Sequence, residues 1–289
     1  MISLSTVSNR LSKFFPPVVA EDQRGQHEQF RKAQRLAYDC AVQIGREIQE
    51  GWSEKKTAGL MDTFLRDHGV KTFFHTSFAW FGERSRFDGI GTGIAGYFGF
   101  LPSKRIFNSS DVVILDTAPF VDGFAADIGF TFSLVPNAEL AKARAELLAF
   151  REWIPQLFLA AKKNPGQIWD DVDQKLKAKG YDNCHSRYPL QALGHRLHYS
   201  HYTNLPSLVS PFSLQSYWSL VSRGLFPEVI SPWHEGSKQG LWAIEPHLGG
   251  KGFGAKFEEI LVVEEVSGQL IAQWLDESVP HLHLPKGFY

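Results

Sequence analysis

Asp116 and Asp127 stand eleven residues apart in Val112-Val113-Ile114-Leu115-Asp116-Thr117-Ala118-Pro119-Phe120-Val121-Asp122-Gly123-Phe124-Ala125-Ala126-Asp127, two carboxylates set among apolar residues. The stretch reads as a β-hairpin, two apolar runs joined by Asp122-Gly123, a dipeptide suited to the centre of a tight turn. With Val121 opposite Phe124, Asp116 faces Gly129 and Asp127 faces Ala118. Side chains alternate along a strand, so positions 127 and 129 share a face. Both carboxylates then point the same way, as diagonal cross-strand neighbours roughly 7–8 Å apart at Cα. Like charges in an apolar hairpin repel and resist desolvation unless a cation lies between them. The chemistry this predicts is metal binding.

Three further segments offer ligands. Leu193-Gly194-His195-Arg196-Leu197-His198-Tyr199-Ser200-His201 clusters histidines in a strand-like run, Trp242-Ala243-Ile244-Glu245-Pro246 places a carboxylate in an apolar run, and Phe257-Glu258-Glu259-Ile260-Leu261-Val262-Val263 does so again. Glutamate is depleted in apolar strands and costly to bury, so each of these needs a reason.

The elements that must position these groups follow from periodicity. Residues 24–50 carry apolar positions at helical spacing (Phe30, Ala33, Ala37, Cys40, Ile44, Ile48) and stop at Gly51. Ser53 caps a second helix running to Gly69. Residues 70–110 are aromatic and Gly-rich without helical period, which predicts short strands and loops. After the aspartate hairpin, a long amphipathic helix opens at Pro136-Asn137, with a kink expected at Pro155, and another spans Ile168 to Lys179. Strand-like segments and loops dominate from 184 onward, including a polar and aromatic connection over 202–240 of the kind that often covers an active site. Helices, strands, helices, strands predicts an α+β fold of two similar halves, although no sequence repeat proves duplication. Residues 1–22 read as an irregular arm and 23–289 as one catalytic domain.

Ordered this way, the chain resembles the pita-bread metallopeptidases: methionine aminopeptidase, Xaa-Pro aminopeptidase and prolidase. Their ligands run Asp, a second Asp eleven residues on after an Asp-Gly turn, a His following Gly, a Glu before Pro, and a final Glu. The resemblance covers roughly residues 25–265 and maps these onto Asp116, Asp127, His195, Glu245 and Glu258, the last preferred over Glu259. It implies two pseudo-symmetric halves with a curved antiparallel sheet and flanking helices, and a short member without the N-terminal domain of longer relatives. It also implies two divalent ions. Four carboxylates and a neutral imidazole supply a charge that two such ions balance, and oxygen-rich ligation with one nitrogen suits Mn, Fe, Co or Zn, with Mn favoured. The implied activity is that of an aminopeptidase or dipeptidase of Xaa-Pro type. A hydroxide bridging the ions would be the nucleophile and Glu245 the general base.

The chain also departs from the family. The substrate-facing His expected 17–18 residues before the first Asp is absent around Tyr97-Phe98-Gly99-Phe100; His75 lies farther upstream. The second family His falls at Tyr202, one residue from His201, and the Arg expected after the second Asp is Phe130. His201 is the favoured substrate histidine, with His75 as the other candidate. These changes leave open a creatinase-type hydrolase of a non-peptide C–N bond that works without metal, or a pita-bread module that binds a peptide or protein without catalysis.

Net charge is −1, with Lys+Arg 30 against Asp+Glu 31, which gives no electrostatic case for nucleic acid or an anionic membrane. The apolar runs fall short of the ~20 residues of a bilayer span. No apolar export signal precedes a cleavage site, and Cys40 and Cys184 are too few for a disulfide framework, so a soluble cytoplasmic enzyme is expected. Its partners would be a short peptide or other small amide and, as the resemblance implies, a second copy, with the aromatic 73–100 region as interface.

Overall fold

A computed structural model of the chain describes residues 23–89, 99–200 and 226–289. The predicted arm at 1–22, His201 and most of the 202–240 connection lie outside the described residues.

The two leading helices form much as predicted. Helix α1 spans His27–Glu47 and buries the stripe Phe30, Ala33, Ala37, Cys40 and Ile44. Helix α2 spans Glu54–Asp67, with the Ser53 side chain accepting from the Lys56 amide. Strand β1 follows at Thr72–Phe81, a ten-residue strand where short pieces are expected. The sequence hides it because both its faces are buried, so apolar and polar residues do not alternate. Phe73, Ala79 and Phe81 pack into the core under α1 and α2, while Phe78 and Trp80 pack on the opposite face.

The aspartate hairpin is formed by β2 (Val112–Val121), β3 (Phe124–Ala125) and β4 (Ile128–Ser133). Val121 pairs with Phe124 and Asp116 with Gly129, the register expected from the Asp-Gly turn. Asp122 and Gly123 both have positive φ, 50° and 86°, as a type I′ turn requires.

The pattern then repeats. Helix α3 (Ala138–Leu159), capped by Asn137, runs on through Pro155, and α4 (Pro165–Ala178) opens with an Asn164–Gln167 capping box. After the short β5 (Asp182–Asn183) come β6 (Gly194–Leu197), β7 (Val229–Ile230), β8 (Gly240–Ile244), β9 (His247–Gly250), β10 (Phe253–Val266) and β11 (Gln269–Trp274). One sheet joins the halves in the order β1-β2-β4-β10-β8-β6-β7, every pair antiparallel. Leu140, Leu147, Phe150, Ile168 and Val172 from the second helix pair pack against Trp242, Phe257 and Leu261. Each half thus covers one side of its strands with helices, leaving the curled inner face for the site. Among the described residues no helix is long and apolar enough to cross a membrane.

The turn that sets the hairpin register is also pinned from outside. A Cβ at Gly123 would lie 2.6 Å from the Ser200 carbonyl oxygen and 2.7 Å from the Tyr199 ring. Gly123→Ala is therefore expected to destabilise by at least the ~1–2 kcal/mol of an L-residue at left-handed φ. Urea unfolding measures this; an unchanged midpoint would contradict it.

Candidate metal centre

The five groups singled out in the sequence converge on the inner face. Asp116 lies on β2, Asp127 just before β4, His195 on β6, Glu245 just after β8 and Glu258 on β10. These strands are successive neighbours, and register brings their residues level: Gly129 pairs with Asp116 on one side and with Glu258 on the other. On the far side His195 pairs with Ala243. All five are at least nine-tenths buried. The Gly before the histidine has a steric reason, since a Cβ at Gly194 would sit 2.2 Å from the Ala243 carbonyl oxygen and force β6 away from β8. Glu259 points to the other face, where Arg151 donates to it at 2.6 and 2.9 Å.

His75 is also in the site. Strict alternation would put it on the helix-facing side with Phe73, but the β1–β2 register shifts between Phe73 and His75 and again between His75 and Phe78. Such irregularities re-aim side chains. Here they turn the imidazole onto the inner face, stacked on Phe78 at 4.8 Å. Its Nε2 lies 3.1 and 3.2 Å from the two Asp127 oxygens and 3.4 Å from Asp116 Oδ1.

Both site histidines are oriented alike. His75 Nδ1 is 2.9 Å from the Thr76 carbonyl oxygen and His195 Nδ1 is 3.2 Å from that of Arg196. A carbonyl only accepts, so Nδ1–H donates to it and Nε2 is aimed at the carboxylates, the posture of an imidazole fixed by its outer hydrogen bond. His195 Nε2 is 3.1 Å from Asp127 Oδ2, and its ring stacks on Phe74.

Lys256 is the residue that the sequence reading passed over. Two positions before Glu258 on β10, it shares that residue's face; its Nζ donates to Glu245 Oε2 at 2.8 Å and Glu258 Oε2 at 2.9 Å and forms an ion pair with Asp116 Oδ2 at 2.5 Å. The signal was available: a lysine in an apolar strand with the parity of a proposed ligand.

The electrostatics follow from burial and these contacts. Burial by itself would push Asp127 up, yet His75 and His195 hold it well below the ordinary carboxyl range. Burial raises Asp116, Glu245 and Glu258, opposed by Lys256, and Glu258 is driven highest by the neighbouring Asp127 and Glu245. Burial would lower both cations, but the carboxylates prevail: Asp127 and Asp116 lift His75 to about 9, and Asp116, Glu245 and Glu258 lift Lys256 well above its usual value.

The donor chemistry fits a divalent ion. Three groups each bring their ligand atoms within 4.8 Å of one another: His75, Asp116 and Asp127; Asp127, His195 and Glu258; Asp116, Glu245 and Glu258. Glu258 Oε1 is buried without a hydrogen-bond partner, and Asp116 Oδ1 has only the His75 imidazole, at 3.4 Å, which is costly for Glu258 unless something positive meets it. A pocket of about 160 Å³ opens onto this cage, walled by Phe74, Phe78, Trp80, Phe100, Leu101 and Tyr188. The aromatic residues of β1 therefore face the core or this pocket.

A curled antiparallel sheet carrying buried carboxylates and imidazoles between two helix-strand halves is the arrangement of the pita-bread fold. The profile of metallopeptidase family M24 matches residues 28–265, and the chain belongs to that family. No curated protein matches. Among solved structures it is similar to the X-Pro aminopeptidase of Thermotoga maritima (16% identity, 92% of this chain and 64% of that one, TM-score 0.64). It is also similar to the prolidase of Pyrococcus furiosus (16% identity, 93% and 68%, TM-score 0.61) and the Xaa-Pro dipeptidase of Bacillus anthracis (14% identity, 93% and 64%, TM-score 0.60). The chain thus spans 64% of the first of these relatives.

If the cage exists for a cation, binding one should stabilise the fold. Adding Mn²⁺ to the metal-stripped protein at 100 times its Kd is expected to raise stability by ~2.7 kcal/mol, with a matching rise in Tm, and the Asp127→Ala variant should lose this shift. A wild-type Tm that ignores Mn²⁺, Co²⁺ and Zn²⁺ alike would contradict it.

Proposed function

We propose that this protein is a metal-dependent peptidase acting near the N-terminus of short peptides, with an apolar side chain seated in the aromatic pocket. The observation that carries this reading is that the pocket's apolar wall and the carboxylate–imidazole cage line the same cleft. A peptide lying along Phe78, Trp80 and Tyr188 would present its scissile amide to the cage.

A divalent ion held by Asp127, His195 and Glu258 would polarise that amide and lower the pKa of an attacking water. The chain's own groups do the rest. Glu245 accepts the water's proton and passes it to the departing amine nitrogen as the C–N bond breaks, burial having raised its carboxyl while Lys256 limits the rise. His75, lifted to about 9 and so an imidazolium at neutral pH, lies at the cage edge against Phe78, where the Nε2–H it shares with Asp127 can also donate to the oxyanion that develops on the substrate carbonyl. The aromatic wall excludes water and favours apolar residues, proline included. His201, the other candidate for the donor role, lies outside the described residues.

Glu245→Gln is expected to lower kcat by about 10²–10⁴ with the fold intact. Asp127→Ala should abolish hydrolysis and metal binding together. A panel of dipeptides and tripeptides with and without proline, assayed with Mn²⁺ and after chelation, checks the reading. Turnover that survives complete chelation would overturn it and favour the creatinase-type alternative, for which the lysine inside the cage is the one supporting observation.

A further inference from the structure

We infer that the cage holds a single divalent ion and that the Lys256 ammonium is its second, built-in cation. This rests on the metallopeptidase reading and narrows it, since four carboxylates by themselves suggest two ions.

Of the three donor groups, Asp116, Glu245 and Glu258 meet around one point, and the Lys256 nitrogen lies there. It donates to one oxygen each of Glu245 and Glu258 and forms an ion pair with Asp116, so its charge already meets all three carboxylates. An ion bound to the same three oxygens at ~2.0–2.2 Å would overlap the nitrogen, so the position takes one or the other.

The lysine is built in. Its stem crosses the backbone of Gly129, between Asp116 and Glu258 in the sheet, where a Cβ would fall 2.3 Å from the lysine Cε. A side chain at 129 would close that passage. The Lys256 side chain is 1% exposed, and the Tyr188 ring lies on its nitrogen's other flank at 5.6 Å. Swinging it aside would strip three buried carboxylates of their partner, a change that typically costs several kcal/mol.

Two donor groups remain and they share Asp127; in one of them, His75, Asp116 and Asp127, the imidazole already pairs with both Asp127 oxygens, which leaves Asp127, His195 and Glu258 for the ion. Asp127, His195 and Glu258 bring ligand atoms within 4.8 Å of one another, and Glu258 Oε1 is buried with no hydrogen-bond partner. His75 engages both Asp127 oxygens from the opposite side as a hydrogen-bond partner.

The test is ion stoichiometry by elemental analysis on the full-length protein, stripped with chelator, loaded with Mn²⁺ and freed of excess, with the electron paramagnetic resonance spectrum recorded on the same samples. Wild type is expected to hold one Mn²⁺ per chain and to show the six-line signal of an isolated ion. Lys256→Met, which keeps the stem and removes the charge, is expected to take up a second ion and replace that signal by a spin-coupled one. Two ions in wild type would overturn the inference and leave the metallopeptidase reading standing; none would overturn both. One ion in each protein would overturn the role of Lys256. Should Lys256→Met fail to fold, the wild-type count and spectrum decide between one ion and two.

Discussion

Four carboxylates gathered at the centre of a sheet are the constraint on which the rest of this structure depends. Asp116, Asp127, Glu245 and Glu258 are all at least nine-tenths buried, and each unpaired charge in such a place costs several kcal/mol. Lys256, His75 and His195 offset part of this, each aimed at the carboxylates rather than at water. Two oxygens without a hydrogen bond, Oδ1 of Asp116 and Oε1 of Glu258, mark where compensation is incomplete. A fold carrying this cost must recover it from apolar packing elsewhere. The two helix pairs do so, one over each half of the sheet.

Local backbone features serve the same end. The positive-φ turn at Asp122-Gly123 fixes which residues of the hairpin face inward, and a slip of one residue would send both aspartates to opposite faces. Gly194 lets the His195 strand approach the Glu245 strand, and Gly129 gives the lysine stem its path between neighbouring carboxylates. The bulged β1 brings His75 to Asp127 and, with Phe74, Phe78 and Trp80, supplies one wall of the pocket. Cage and pocket are thus one construction, polar at its floor and aromatic at its side.

Much of this was legible in the residues. The hairpin register follows from a two-residue turn whose chemistry allows little else, and the helices from stripes and caps such as Ser53 and Asn137. The inward choice of Glu258 over Glu259 agrees with the parity of β10, where Glu259 instead meets Arg151. Other parts were hidden for physical reasons. Strand β1 is buried on both faces and carries no alternation to read. The position of His75 depends on register shifts that leave no mark in the composition. Lys256 could have been seen, but a lysine beside two glutamates reads as ordinary strand-end charge until the sheet places it among carboxylates from two other strands. The far wall of the pocket is built by Phe100, Leu101 and Tyr188, which come from connections whose path no periodicity encodes.

Anomalous diffraction from crystals of the Mn²⁺-loaded protein, recorded on both sides of the manganese edge, locates the cation among the buried carboxylates. One peak is expected between Asp127, His195 and Glu258, with the Lys256 nitrogen still among Asp116, Glu245 and Glu258. A cage without any manganese peak in fully loaded crystals would contradict it.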